Sequence, residues 1–435
     1  MTLRHASYFA IMALLLVIVG VMQSPAVALT ILNLCIISAI MALGVNLQWG
    51  YAGLLNVGIM GFTAIGGLGA VLVAMPPVRD AWSAGGIGVI LSAIVMLGFI
   101  LAAILIRPRL TRYRGAVTAI IIIAGYFTAR LVFDPATAAI EAVNPSRTGY
   151  LGGLGLPILL GWPVGGLLAA GAAWLVGKTA LGLRSDYLAI ATLGISEIII
   201  AILKNEDWLS RGVKNVTSLP RTVPTEVGLR EAPWFINLCE TLGTTPSAFA
   251  GLFVDLCYTA LFGLVLIIFT ILAQRALHSP WGRMMRAIRD NETAARAMGK
   301  DVTRRHLEIF VLGSAVVGVA GAMLVTMNGQ FTPTSYVPLR YTFLILVMVI
   351  VGGSGNNFGA ILGGFVIWFV WVEAEPVGRW LMDVLTGPLG EDSALRDTLV
   401  DRAAHMRMIF MGAILLLVMR FAPRGLIPEE RGRRH

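Results

Sequence analysis

Four polar side chains stand inside otherwise apolar stretches of this sequence and are its first candidates for chemistry. Asn46 and Gln48 lie at the end of one apolar run, Asn56 opens the next, and Glu197 falls midway through another. A carboxylate at the centre of a lipid bilayer is unfavourable by several kcal/mol unless it is paired or hydrated. Glu197 is therefore a candidate functional residue, and the alternative is a carboxylate that hydrogen-bonds to a neighbouring helix for packing.

The sequence contains no complete motif for catalysis, metal binding or nucleotide binding. Residues 172–179 approach the phosphate-binding pattern G-x-x-x-x-G-K-[ST], but the first position is alanine and the middle residues continue an apolar helix. Lys178 is better explained as a basic anchor at a membrane surface. The cysteines are odd in number and favour packing over disulfides or a metal site: Cys35, Cys239 and Cys257. We predict no catalytic residue, no metal ion and no cofactor held by this chain.

The most polar internal stretch, 274–305, is predicted to contain one short helix. Ser279 and Pro280 suit a helix start and Gly299 supplies a stop, which places the helix over 281–298. Basic residues recur at every third position as a cationic stripe of Arg283, Arg286 and Arg289. Side-chain bulk is almost absent at Ala294, Ala295 and Ala297. This surface predicts docking of another protein, and the alternative is a solvated loop whose arginines only set the membrane topology.

The composition indicates a membrane protein. Of 435 residues, 57% are hydrophobic and 13% are charged, and the mean hydropathy is +0.81, whereas soluble domains carry about 25% charged residues. The net charge of +9 does not indicate nucleic acid, because the basic residues lie in short segments between apolar runs. We therefore expect contact with membrane lipids and none with nucleic acid.

Twelve apolar stretches are candidates for spanning helices, which need about 20 mostly apolar residues. They lie at 7–24, 27–47, 53–74, 86–106, 115–133, 156–176, 187–203, 251–273, 308–328, 341–352, 357–372 and 408–422. Several are shorter than a full crossing. The prediction is an all-α polytopic membrane protein with about 10 to 12 transmembrane helices, in which 1–435 forms a single transmembrane domain.

The connecting segments differ in charge, and this difference predicts the orientation. Segment 107–114 carries four Arg and no acid, and 274–307 carries eight Lys or Arg against three acids. By contrast, 204–250 is balanced and 373–407 carries seven acids against four Arg. Because Lys and Arg are retained on the cytoplasmic side, we predict a cytoplasmic loop at 274–307, external segments at 204–250 and 373–407, and both termini in the cytoplasm.

The first apolar segment has some features of a cleavable signal peptide. Arg4 precedes the apolar run 9–22, and the triplet Ala26-Val27-Ala28 follows it. We favour a retained helix, and cleavage would leave every later crossing unchanged.

Glycine is dense around 351–359, where the sequence is VGGSGNNFG. One reading is a tight turn at the membrane surface, and the other is an irregular stretch that lines a cavity. The small pair Gly359 and Gly363 predicts close packing against another helix.

Four blocks and a C-terminal motif carry a specific resemblance. They are NLQWGYAGLLNVGIMGFTAIGG (46–67), LRSDYLAIATLGISEII (183–199), SPWGRMMRAIRDNETAARAMGKDVTRRHL (279–307), VGGSGNNFGAILGG (351–364) and APRGLIP (422–428). In this order, and over nearly the whole chain, they resemble the LivM-type permease of branched-chain amino acid ABC importers.

The resemblance implies an ABC importer permease fold and a set of partners. These are a homologous second permease of LivH type, two ATP-binding subunits of LivG and LivF type that bind the ATP, and a periplasmic solute-binding protein. An EAA-like motif in the cytoplasmic loop of the family forms a coupling helix that docks into the ATPase. Carried over to this chain, the coupling residues are Arg289, Glu292, Thr293, Ala294, Ala295 and Gly299.

The resemblance further implies a location in the bacterial inner membrane and a translocation path between two permeases. The polar candidates for that path are Asn46, Gln48, Asn56 and Glu197. Thr293 stands where the family motif has the glutamate that names it. Ile59 stands where a histidine is frequent in the family, so the identity of the solute is not predicted.

We expect transport of branched-chain amino acids or a related small polar solute, with urea or short amides as the alternative. An ATP-independent secondary transporter or channel is less favoured, because an ion-coupled carrier would show a relay of buried carboxylates, whereas Glu197 stands alone in its apolar stretch. No enzymatic activity is expected, because no cluster of catalytic polar residues lies at one membrane interface.

Overall fold

The computed structural model describes residues 3–109, 113–145, 147–386 and 405–429. Every regular element in these residues is helical, apart from an isolated antiparallel bridge between Val216 and Phe331. The helices of six or more residues are α1 (Leu3–Met22), α2 (Pro25–Val45), α3 (Ile59–Ala74), α4 (Ile87–Ile106), α5 (Arg114–Ala142), α6 (Gly161–Ala180), α7 (Ser185–Asn205), α8 (Glu226–Glu231), α9 (Pro233–Thr241), α10 (Pro246–His278), α11 (Pro280–Asp290), α12 (Glu292–Ala297), α13 (Val302–Asn328), α14 (Pro338–Gly352), α15 (Asn357–Thr386) and α16 (Met406–Phe421). The predicted all-α fold is confirmed.

Each of the twelve predicted apolar segments contains a helix, namely α1 to α7, α10 and α13 to α16. In the described part of the chain, nine helical segments are long and apolar enough to cross a membrane. The helices α3 and α14 are shorter, at 16 and 15 residues, and are also apolar. The chain is a multi-pass membrane protein.

Small residues allow the central helices to pack at close range. A Cβ atom on Gly66 of α3 would overlap the carbonyl group of Gly318 in α13. In the same way, a Cβ atom on Gly363 of α15 would overlap the carbonyl oxygen of Met348 in α14, and one on Gly359 would crowd the end of α14. Close backbone contact of this kind holds helices together in lipid, where burial of apolar surface from water does not drive them. The predicted packing role of Gly359 and Gly363 is confirmed.

The segments that connect the helices meet at two opposite ends of the bundle. At one end, which we name the coupling end, Arg289 contacts Gly50 and Glu429. At the other, which we name the distal end, the bridge of Val216 and Phe331 joins two further connections. Helix α13 runs between the two ends, and its 27 residues correspond to about 40 Å.

The predicted external segments are partly helical. Helix α15 was predicted to end at 372 but continues to Thr386, so 373–386 extends that helix. Its continuation is favoured by Glu375, which pairs with Arg379 one turn later at 2.6 Å and with Arg407 of α16 at 2.9 Å. Hydropathy alone does not predict that α15 continues beyond 372, because ion pairs stabilise the helix there in addition to the burial of apolar side chains. Residues 387–404 of the predicted segment 373–407 lie outside the described residues, and 204–250 contains α8 and α9.

Candidate functional site

The predicted single helix over 281–298 is wrong, because the structure has two helices that meet at Asn291. Asn291 is extended, with φ −155° and ψ 94°, and its side-chain oxygen accepts a hydrogen bond from the backbone N–H of Ala294 at 2.9 Å. Asparagine is among the best residues for capping a helix start in this way. The chain therefore turns between α11 and α12.

The two predicted outer boundaries of this region are confirmed. The side chain of Ser279 accepts a hydrogen bond from the N–H of Gly282 at the start of α11. Gly299 has φ +74°, and the next N–H, of Lys300, bonds to the carbonyl of Ala295 at 3.2 Å. A left-handed glycine followed by this bond is a common helix terminus.

The three arginines of α11 bind carbonyl groups of this chain. Arg283 donates to the carbonyl of His278 at 3.0 Å, and Arg286 donates to that of Leu277 at 3.2 Å. These carbonyls lie in the last turn of α10, where no partner remains within the helix and positive charge is favourable. The predicted cationic stripe therefore fixes α11 to the membrane domain instead of presenting a free basic surface.

Arg289 connects α11 with two other parts of the coupling end. Its Nη2 atom contacts the Glu429 carboxylate oxygens at 3.1 and 3.0 Å, and its Nη1 atom donates to the carbonyl of Gly50. The side chains of Arg289 and Glu429 are only 23% and 24% exposed. Burial opposes the charge on Arg289, but hydrogen bonds and charges from Glu429 and Asp290 outweigh it and raise the pKa of the guanidinium. Arg289 therefore keeps its positive charge at every physiological pH.

The C-terminal tail covers the turn between α14 and α15. The N–H groups of Leu426 and Ile427 bond to the carbonyls of Val351 and Gly352, each at 2.9 Å. These are carbonyls that a helix end leaves without partners. The turn contains two left-handed glycines, Gly353 and Gly355. The structure has a turn within 351–359, of which Gly355, Asn356 and Phe358 also line a pocket, so each of the two interpretations holds in part. The tail that covers the turn also carries Glu429.

The outward face of α12 is exposed and has little bulk. Glu292 pairs with Arg296 at 2.6 Å on this surface, and Thr293 and Ala294 are exposed. Ala295 is only 8% exposed and packs into the hydrophobic core. One large apolar side chain projects beside the small ones, Met298, which is 79% exposed. Met298 was not among the residues predicted from the sequence, although an apolar residue directly before Gly299 in a polar loop was a signal.

Three of the four predicted path residues are buried in hydrogen-bond networks. Gln48 donates to the carbonyl of Phe310 at 2.8 Å and to the hydroxyl of Ser314 at 2.9 Å, and it accepts from Asn56 at 3.0 Å. Asn46 donates to the side chain of Asn357 at 3.2 Å. None of Asn46, Gln48 and Asn56 is more than 2% exposed. They join α2 to α13 and α15, and their role in a path stays a prediction.

The extended stretch before α3 is held by α7. The hydroxyl of Thr192 accepts the N–H of Val57 at 3.1 Å, and that of Ser196 accepts the N–H of Gly61 at 2.8 Å. Irregular backbone at membrane depth requires such partners, because lipid offers none. These two bonds satisfy backbone N–H groups just before α3 and in its first turn. Thr192 and Ser196 were not predicted from the sequence, since hydroxyls within an apolar helix are common.

Glu197 lies on an exposed face of α7, whereas the adjacent Ser196 is buried against α3, and it is apart from the other path candidates. It is exposed, and in the described residues it has no hydrogen-bond or ion-pair partner. Its neighbours on this face are also exposed, with Ile190 at 68% and Ile198 at 58%, and a Cβ atom added to Gly194 would meet no described atom within 4 Å. The packing alternative for Glu197 is therefore not supported within the described chain.

Comparisons with known proteins point to one family. A sequence profile described as branched-chain amino acid transport system / permease component matches residues 136–419. Over 306 residues the chain is 32% identical to the high-affinity branched-chain amino acid transport system permease protein LivM of Escherichia coli K12, which covers 67% of this chain and 62% of that protein. The chain thus spans 62% of the length of this relative. No solved structure matches the chain significantly.

Two further relatives extend the comparison. The chain is 24% identical over 341 residues to the xylose transport system permease protein XylH of Escherichia coli K12, with 74% of this chain and 72% of that protein covered. It is 28% identical over 187 residues to the probable branched-chain amino acid transport permease protein LivH of Methanocaldococcus jannaschii, with 42% and 50% covered. Because the profile spans well over half of the 435 residues, this chain belongs to the family of branched-chain amino acid transport system permease components.

Proposed function

We propose that this chain is a permease subunit of an ATP-driven importer and that α11 and α12 receive an ATP-hydrolysing partner. The observation that carries this proposal is the exposed face of α12, where small residues flank the projecting side chain of Met298. Small residues allow a partner backbone to approach closely, and one apolar side chain can fill a pocket in that partner. We assign the contact to Glu292, Thr293, Ala294 and Met298 on α12.

The anchoring of α11 suits the transmission of movement. Three arginines fix α11 to α10, to the end of α2 and to the tail. In addition, Trp281 donates to Glu308 of α13 at 3.1 Å. A body held at this many points moves as a unit when a partner displaces it, whereas a flexible loop would absorb the displacement.

The proposed solute is a branched-chain amino acid or a related small polar compound, delivered to the distal end by a periplasmic binding protein. The LivM relative's name supports the amino acid, and the LivH relative's name supports a second permease as partner. Two ATP-binding subunits would bind the ATP, so that this chain holds no cofactor and has no enzymatic activity of its own.

The proposed location is the bacterial inner membrane, with the coupling end in the cytoplasm. The arginine-rich segment 274–307 lies at this end, which agrees with retention of basic residues on the cytoplasmic side. His5 and Glu429 line the same pocket, which supports placing both termini on this side.

The exposed carboxylate of Glu197 supports a protein or water contact along α7. An ionised group that faces lipid is strongly unfavourable, so we propose that the second permease or the path between the two permeases covers this face.

The test is uptake by proteoliposomes that contain the full chain with its partner permease and ATP-binding subunits. We expect leucine to accumulate only with hydrolysable ATP and loaded binding protein, and not with this chain alone. Accumulation by the chain alone would establish the ATP-independent transporter instead. Uptake of urea or acetamide without uptake of leucine would establish the short-amide alternative.

A further inference from the structure

A cavity of about 300 Å³ lies inside this chain between α2, α3, α13, α14 and α15. Sites for small molecules occupy about 300 to 1,000 Å³, so this cavity is at the size expected for a small solute. None of the four predicted path residues lines it. It is therefore separate from the polar networks around Gln48 and from the face that carries Glu197.

The cavity extends inward from the distal end. Asn328, the last residue of α13, and Ser335 line it and are exposed. Met348 also lines it and is fully buried. Met348 lies ten residue positions after Pro338 along α14, which corresponds to a depth of about 15 Å. The open side of the cavity is thus the side to which a binding protein would deliver solute.

The lining changes in polarity along this depth. The exposed part offers the Asn328 amide and the Ser335 hydroxyl, whereas the deep part is lined by Met41, Met60 and Met348. Among the described residues that line the cavity there is no Asp, Glu, Lys, Arg or His. A solute with net charge would lack a counter-ion here, and burial of an unpaired charge is strongly unfavourable.

A few hydrogen-bonding groups lie between these two zones. Ser38 and Thr63 line the cavity and are buried, and the Thr63 hydroxyl donates to the carbonyl of Ile59 at 3.0 Å, which leaves its oxygen as an acceptor. The indole N–H of Trp368, another lining residue, is buried without a hydrogen-bond partner among the described residues. A sugar carries hydroxyls on all sides and would leave several unpaired against the methionines, each at a cost of about 1–3 kcal/mol. A solute with a polar head and an apolar tail matches the gradient.

We propose that this cavity binds a zwitterionic amino acid with a branched aliphatic side chain, its head group at Asn328 and Ser335 and its side chain toward Met348. The inference rests on the proposed import function and adds that one permease chain by itself holds the solute. Methionine side chains are flexible and polarizable, so they accommodate the different branching of leucine, isoleucine and valine.

Protection of an introduced cysteine tests the proposal. Cys35 and Cys239 are fully buried, so Cys257→Ala gives a background of low reactivity, to which Ser38→Cys is added in the complete complex. We expect a membrane-impermeant methanethiosulfonate reagent, applied from the distal side, to modify the new thiol. Leucine, isoleucine and valine should slow this modification several-fold, and xylose and urea should not. Ser314→Cys, also buried but not lining the cavity, should remain unmodified.

A larger side chain at the deep end of the cavity gives a second measurement. The result is a ratio of two uptake rates, and misfolding would lower both rates equally. Met348→Trp should reduce leucine uptake relative to alanine uptake by about tenfold, because the smaller solute still fits. Equal modification with and without the three amino acids, equal protection by xylose, or an unchanged leucine-to-alanine ratio would each overturn the cavity assignment. Leucine uptake by the unmodified complex is measured separately. If leucine is taken up but does not protect the introduced cysteine, only the cavity assignment is rejected. If leucine is not taken up, the proposed function is rejected.

Discussion

Arg289 of α11 contacts both carboxylate oxygens of Glu429, at 3.1 and 3.0 Å, and thereby connects α11 to the C-terminal tail. The same guanidinium donates to the carbonyl of Gly50, the last residue of a π-helical turn that ends α2. Such turns are rare and are frequent at functional sites. The tail in turn bonds to the end of α14. A displacement of α11 therefore reaches α2 and α14, both of which line the solute cavity.

Arg289→Gln should uncouple ATP hydrolysis from uptake while the ATP-binding subunits remain attached. The substitution removes charge-assisted hydrogen bonds worth about 1.5–3 kcal/mol but leaves the exposed face of α12 unchanged. Leucine uptake and ATP hydrolysis measured on the same complex should show uptake reduced more than hydrolysis.

Arg304→Gln is the matched control, because Arg304 is exposed, its partner Glu308 keeps a second ion pair with Arg305, and the lost pair contributes about 0–1 kcal/mol. It should retain nearly normal coupling. Equal coupling in both variants would contradict a transmitting role for Arg289.

Ala294→Arg should abolish copurification of the ATP-binding subunits without altering the thermal unfolding of the permease. Ala294 is exposed, whereas Ala295 is 8% exposed, so an arginine at 295 would disturb the chain itself. Ala248→Arg, an exposed alanine in the first turn of α10 at the distal end, should leave copurification unchanged. Retained ATP-binding subunits in Ala294→Arg would argue against docking on α12.

Glu197→Gln should reduce the yield of the complex with the second permease, or leucine uptake, because the carboxylate faces out of the chain on a spanning helix. The yield of the complex is measured by copurification, and leucine uptake is measured in proteoliposomes. Glu240→Gln, on the exposed surface of α9 outside the spans, provides the comparison. Wild-type yield together with wild-type uptake for Glu197→Gln would remove this residue from the site.

Gln48→Met should lower the thermal stability of the purified chain in detergent. It leaves the Asn56 amide and the Phe310 carbonyl without their buried partner, at a cost of about 1–3 kcal/mol. Gln274→Met at the partly exposed end of α10 should change stability little. If Gln48→Met unfolds like the wild type but changes the uptake rate, a path role would replace the structural one.

Gly66→Ala should destabilise the bundle, because the added Cβ atom would overlap the carbonyl group of Gly318. Gly171→Ala in α6 is the matched control, since nothing lies within 4 Å of its Cβ position. Thermal unfolding of both variants, measured side by side, should separate them, with Gly171→Ala at or above the wild-type midpoint because alanine favours helix. An equal midpoint for both variants would contradict the close approach of α3 and α13.

The sequence by itself determined the class of protein, the twelve helices and several of their ends. Apolar runs predict membrane helices because the free energy of transferring a residue into lipid depends mainly on that residue's own side chain. Capping is local as well, which is why Ser279 and Gly299 could be identified as ends. The break at Asn291 is also caused by helix capping, which is local. The sequence did not predict it, because an asparagine can also lie within one continuous helix.

Only the tertiary structure decided what the polar groups do. Asn46 bonds to Asn357 and Arg289 to Glu429, across 311 and 140 residues of sequence. The arginines of α11 could have faced solvent, and the methionines of the cavity could have faced lipid, because periodicity gives the face of a helix but not its neighbour. A hydrogen bond or a cavity depends on the relative position of several helices at once, and that position results from glycine contacts distributed over the whole chain.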